Sequence, residues 1–216
     1  MATEIIEIQE RQTTRQERLL PKHKVTFEEF LDWLDEDTLA EWVEGEIIMA
    51  SPASLPHQNI GSLLEKLLGI HVEVHDLGLV LRAPFVMKLA DRPSGREPDL
   101  LFVQRDRLHL LKNTYLDGAA DLVIEIISPE SIGRDRGDKF VEYERAGVKE
   151  YWLIDPERKY AEFYELDESG RYRLAQIGND RIYRSKVITG FWLCEDWLWQ
   201  EPLPPVLDLL RQLKLI

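Results

Sequence analysis

The chain has 216 residues, with 27 lysines and arginines against 40 aspartates and glutamates, a net charge of −13 and a sequence pI near 4.9. Its 44% hydrophobic and 31% charged residues are those of an ordinary folded protein, and the length suits one core, since single cores hold roughly 100 to 200 residues. Cys194 is the one cysteine, the start lacks the basic and apolar blocks of a secretory signal, and no apolar run reaches the ~18 residues of a membrane span. A disulfide framework is excluded, and the expectation is a cytoplasmic protein with no membrane partner. An acidic chain repels phosphate backbones at long range, so a nucleic-acid role would have to rest on a local basic surface or on metal ions.

In chain order, residues 1–24 alternate Glu, Gln, Arg and Thr and read as a flexible arm ahead of one domain over 25–216. Thr26 and Glu29 predict a capping box, opening a short helix with Phe27, Phe30, Leu31 and Leu34 on one face. Glu41 to Ala50, aromatic and β-branched around Gly45, predicts a hairpin ending at Ser51-Pro52, with Glu41 and Glu44 as its surface acids. Ile60, Leu63, Leu64, Leu67 and Leu68 form the stripe of a long helix reaching Val74. Val80 to Leu89 and Asp99 to Val103 predict strands, and the apolar run Ala119 to Ile127 predicts a strand buried on both faces. Asp135 to Ala146 predicts a helix stopped by Gly147. Tyr151 to Ile154 is a buried strand, and Tyr160 to Leu166 with Tyr172 to Ile177 are antiparallel strands. Phe191 to Trp199 holds three of the six tryptophans, a density that predicts either closure of the core or a subunit interface. Val206 to Leu213 closes the chain as an amphipathic helix. This order gives an α/β (α+β) fold: a mixed β-sheet flanked by helices, with additional antiparallel strands.

Strand alternation isolates two acids. Glu125 shares a face with Val123 and Ile127, and Asp99 shares one with Leu101 and Val103. An unpaired charge in such surroundings costs several kcal/mol, and two such acids on adjacent elements raise each other's pKa unless a cation lies between them. A hard divalent ion meets that need, Mg²⁺ first and Mn²⁺ as the alternative, because the donors are oxygens. The competing reading pairs each acid with an arginine or a turn. For Lys139 the simplest reading is a surface pair with Asp135 at i,i+4. Tyr143 and Tyr151 read as core residues with a tethered hydroxyl. No nucleophile elbow, P-loop, GxGxxG or Cys/His zinc spacing is present.

Pro98-Asp99, Glu125-Ile126-Ile127-Ser128-Pro129, Asp135 with Lys139, and Gly147 through Pro156 together resemble the Uma-two family of restriction-endonuclease-like proteins, within the PD-(D/E)XK nuclease superfamily. Glu41 through Glu46, Ser51-Pro52 and His57-Gln58 extend the resemblance, which runs from about Val25 to Leu166. It implies a restriction-endonuclease-like sheet on which Asp99, Glu125 and the backbone carbonyl of Ile126 hold Mg²⁺. The superfamily's usual lysine, two residues after the second acid, is Ile127 here. The family's lysine on the following helix maps onto Lys139, which would orient a water and offset developing charge. Glu46 and His57 are implied near the site. The implied activity is metal-dependent endonuclease cleavage of DNA phosphodiester bonds, by a homodimer where the substrate is duplex. The rival readings are a noncatalytic binding or regulatory module of the same fold, and an oligomeric assembly protein acting through its tryptophan-rich end.

Overall fold

The computed structural model describes residues 20–35 and 38–216; the arm expected over 1–24 lies outside the described residues apart from 20–24. Local chemistry starts each long element. The Thr26 hydroxyl accepts from the Glu29 amide at 3.1 Å while Glu29 Oε2 accepts from the Thr26 amide at 2.7 Å, so the expected capping box opens α1 (Phe27–Trp33). Ser54 caps α2 (Leu55–Val74) through its hydroxyl alone, which accepts from the His57 amide, and Pro56 sits in the first turn, where its missing N–H leaves no bond unmade. The expected hairpin is β1 (Ala40–Val43) with β2 (Glu46–Met49), turned through Glu44 and Gly45, both in the left-handed region.

The strand expected over Val80 to Leu89 is instead two strands in different sheets: β3 (Gly78–Arg82) and β4 (Val86–Leu89). Pro84 lies between them, and a residue with no N–H cannot carry a ladder through that point. After β5 (Ser94–Arg96), β6 (Leu100–Gln104), β7 (Tyr115–Asp117) and β8 (Leu122–Ile126), a π-helical turn over Arg134–Asp138 leads into α3 (Lys139–Ala146). Gly147, at φ +82°, stops α3 as expected. Then come β9 (Glu150–Asp155), β10 (Tyr160–Leu166), β11 (Tyr172–Leu174), β12 (Ile182–Arg184), β13 (Trp192–Cys194) and α4 (Val206–Gln212).

The larger sheet runs β11-β10-β9-β8-β6-β3, antiparallel except for the parallel pair β8/β9. A second sheet runs β2-β1-β5-β4-β7, and β12 pairs with β13. The observed architecture is thus the expected mixed sheet with helices and added antiparallel strands. Strand β8 is buried along its whole length. Leu122, Ile124 and Ile126 face a core shared with α2 and the C-terminal segments, whereas Val123 and Ile127 face the core that contains Tyr143 of α3. Trp197, Phe191, Leu193, Leu209 and Leu210 join the first of these cores, so the tryptophan-rich end closes the core. Among the described residues no helix is long and apolar enough to cross a membrane.

Candidate active site

Strand parity sends Glu125 to the face of β8 that α3 covers. In the β6/β8 register Leu100 lies opposite Ile124, and one further step places Asp99 opposite Glu125. The ladder does not continue there. The Ile126 amide donates to Asp99 Oδ2 at 2.7 Å, so a side-chain carboxylate takes the place of a strand carbonyl and the two strands part. The first turn of α2 brings His57 Nε2 to the same Oδ2, at 3.2 Å. The two acids differ in burial: the Asp99 side chain is 25% exposed, the Glu125 side chain 5%.

Lys139, the first residue of α3, points inward. Its ammonium lies 3.0 Å from Glu125 Oε1, 2.9 Å from Glu41 Oε1 and 3.3 Å from Asp135 Oδ1. The surface pair with Asp135 is thus one part of a buried cluster. The π-helical turn sets this arrangement, since the Lys139 amide donates to the Arg134 carbonyl five residues back. Tyr143 donates to Glu125 Oε1 at 2.9 Å and Tyr151 to the Asp135 carbonyl at 3.0 Å, which are the tethered hydroxyls expected.

Glu41 is a correction. It was expected on the hairpin surface but is 7% exposed, bridging Lys139 through Oε1 and Arg96 Nη1 through Oε2 at 2.9 Å. Glu46, expected near the site, is exposed and lies outside the cleft, opposite Val43 at the turn end of the hairpin, whereas Glu41 pairs with Ile48 at the other end. Behind Glu41, Arg96 is 1% exposed and forked onto Glu142, with Nε to Oε2 at 2.8 Å and Nη2 to Oε1 at 2.7 Å; Ser94 also donates to Glu142. Sequence reading missed Glu41, Arg96 and Glu142. The alternation Ala40-Glu41-Trp42 shows only that Glu41 points away from its apolar neighbours; its partners come from β5 and α3, far along the chain.

These charges shift one another. Burial pushes the Glu125 carboxyl well above its ordinary range; Lys139 opposes this, and Asp135, Asp99 and Glu41 add to it. Burial would lower the Lys139 pKa, but Glu125, Glu41 and Asp135 hold it well above the ordinary value. Burial also raises Glu41, yet Lys139 and Arg96 outweigh it and the net shift is downward. Burial, together with Glu41, pushes Glu97 up to about 7. For His57, burial is outweighed by its bond to Asp99 and the pKa rises.

Glu41, Glu97, Asp99, Glu125 and Asp135 all line one cleft of about 480 Å³. Among the described residues every bond to the Glu125 carboxylate goes to Oε1, and every bond to the Asp99 carboxylate goes to Oδ2. Each acid therefore keeps one oxygen unengaged. This donor set, carboxylate oxygens in excess over cations, fits a hard divalent ion. No three His, Cys, Asp or Glu among the described residues form a metal centre unaided. An ion held by Asp99 and Glu125 would complete its shell with water and substrate, as Mg²⁺ does in phosphate chemistry.

A mixed sheet flanked by helices, as here, is the restriction-endonuclease-like fold. The model of the Uma2 family, described as putative restriction endonucleases, matches residues 27–196. The chain belongs to that family, the Uma-two family its motifs resemble. A crystal structure described as a putative nuclease belonging to DUF820 from Anabaena variabilis is similar, with a TM-score of 0.68 at 19% identity over 81% of this chain and 97% of that one. No curated protein matches.

Proposed function

We propose that the protein is a cytoplasmic, divalent-metal-dependent endonuclease that hydrolyses phosphodiester bonds in DNA. One observation carries this reading: Glu125 on β8 and Asp99, immediately before the neighbouring β6, line a single cleft, each carboxylate with one oxygen held by this chain and one unengaged, beside a buried lysine. Asp99 and Glu125 would hold Mg²⁺ or Mn²⁺, with the carbonyl of Ile126 as a further ligand. Bound there, the ion would acidify a water and offset charge growing on the phosphoryl oxygens.

Lys139 stays protonated at neutral pH because three carboxylates surround it, so its part is that of a hydrogen-bond donor and fixed positive charge rather than a base. Glu41 and Asp135 hold its ammonium in place against Glu125. The Tyr143 hydroxyl fixes Glu125 Oε1 from the other side. His57 orients Asp99 and, when protonated, offers its charge to a phosphate oxygen. Glu46, on its exposed position, takes no part in this scheme.

The test is nicking of supercoiled plasmid in Mg²⁺ or Mn²⁺ by the wild type and by Glu125→Ala. Loss of nicking in the variant is expected, by several orders of magnitude. Equal nicking by both would mark a contaminant, and no nicking by either would leave a noncatalytic module of the same fold. Cutting both strands of a duplex would take two copies related by a two-fold axis. Sedimentation should then give a dimer mass.

A further inference from the structure

Arg134 differs from the other arginines packed around α3. Arg92 and Arg96 are tied to Glu142, and Arg136 to Glu162. Arg134 lines the cleft together with Glu125, Asp135 and Lys139, yet among the described residues it makes no ion pair; its Nε is buried without a hydrogen-bond partner, as is that of Arg136, but Arg136 has Glu162 for its charge and Arg134 has no acid. The nearest acid in sequence, Asp135, faces Lys139 instead. A buried N–H lacking an acceptor is costly, and an acceptor arriving from outside relieves that cost. Lys139 and His57 each already face a carboxylate, so among the cations lining the cleft Arg134 is the one without an acidic partner among the described residues.

The guanidinium fork matches the oxygens of a phosphate group better than any other cationic side chain does. Arg134 is also held in register with Lys139, whose amide donates to the Arg134 carbonyl. We propose that Arg134 is the phosphate anchor of the cleft, binding a non-bridging oxygen of a nucleic-acid strand and so setting that strand against Lys139 and Glu125. This rests on the nuclease reading of the same cleft.

The experiment compares wild type, Arg134→Gln and Arg134→Lys. Duplex DNA, single-stranded DNA and RNA, each fluorescein-labelled, are titrated in calcium over a series of salt concentrations, with KM and kcat measured in magnesium and melting temperatures taken in parallel. Arg134→Gln should weaken binding and raise KM roughly tenfold with a smaller effect on kcat, and should lower the salt dependence of log Kd by about one phosphate contact. Arg134→Lys should recover part of both, and the strand type most affected identifies the substrate. If the wild type cleaves while Arg134→Gln keeps its KM and salt slope, the anchor is overturned and the nuclease reading stands. If Arg134→Gln melts lower and Arg134→Lys restores the melting temperature but not the binding, Arg134 is structural and the proposal falls. A wild type that neither binds nor cleaves any of the three overturns both.

Discussion

Lys139 holds three carboxylates together, and the energetics of that arrangement are lopsided. Forming a buried ion cluster gains little over an apolar packing of the same shape, but removing one member leaves uncompensated charge. Lys139→Met should therefore abolish cleavage and also cost about 3–5 kcal/mol in urea unfolding. Adding Glu125→Gln to Lys139→Met should return part of that stability without returning activity, because one of the stranded acids is then neutral. His71, away from the cleft, sets a pH dependence. It is 3% exposed, its Nε2 donates to the Thr189 carbonyl at 3.0 Å, and its Nδ1 has no partner. A proton added at Nδ1 would find no acceptor, and burial holds the pKa below the ordinary 6.5, with His75 contributing in the same direction. The unfolded chain then binds a proton that the folded one refuses. This contribution is intact above pH 6.5 and is lost as the pH falls below it. The melting temperature of His71→Phe should fall less steeply between pH 7 and 5 than that of the wild type.

At the scale of elements, α3 and β6 deliver the site, and a glycine bears on each: Gly147 ends α3, and Gly78 opens β3, the strand paired with β6. Gly147 takes φ +82° to end α3, and a Cβ there would meet nothing within 4 Å, so Gly147→Ala pays only for the left-handed backbone, about 1–2 kcal/mol. Gly78, at φ +149°, opens β3, and a Cβ there would run into the Val103 carbonyl of β6. Backbone cannot yield as a flexible side chain can. Gly78→Ala should destabilise more than Gly147→Ala and, by shifting β6, disturb Asp99 at its other end. Paired urea titrations and nicking assays distinguish the two: a similar loss for both variants would show that β6 has slack the packing does not reveal.

For the whole molecule, a charge of −13 concentrates five acids in one cleft and makes a divalent cation the natural means of relieving it. An ion that binds only the folded state adds RT ln(1 + [L]/Kd), about 2.7 kcal/mol at a hundredfold over Kd. At this chain length that is roughly a 5–10 °C rise in melting temperature. The rise should be present in millimolar Mg²⁺ and absent in Asp99→Ala. Monovalent salt at matched ionic strength should not reproduce it, since screening acts mainly on exposed charges.

The long periodic elements were legible from residue order alone: the α2 stripe, the doubly buried β8, the Thr26 capping box and the Gly147 stop. So were Asp99 and Glu125, because an acid among alternating aliphatic residues is out of place whatever it pairs with. Sequence reading missed the division at Pro84: Val80 to Leu89 reads as one strand, although a residue without an N–H stands in its middle and the two halves belong to different sheets. What residue order could not supply was partnership. Whether Lys139 faces water or Glu125 depends on how the π-helical turn seats α3, and Glu41 reaches Lys139 and Arg96 only because β1 pairs with β5 beneath that helix. Side-chain type and spacing report the free-energy cost of burying a charge. Which opposite charge offsets that cost is decided by contacts between segments tens of residues apart, and those exist only once the sheets have assembled.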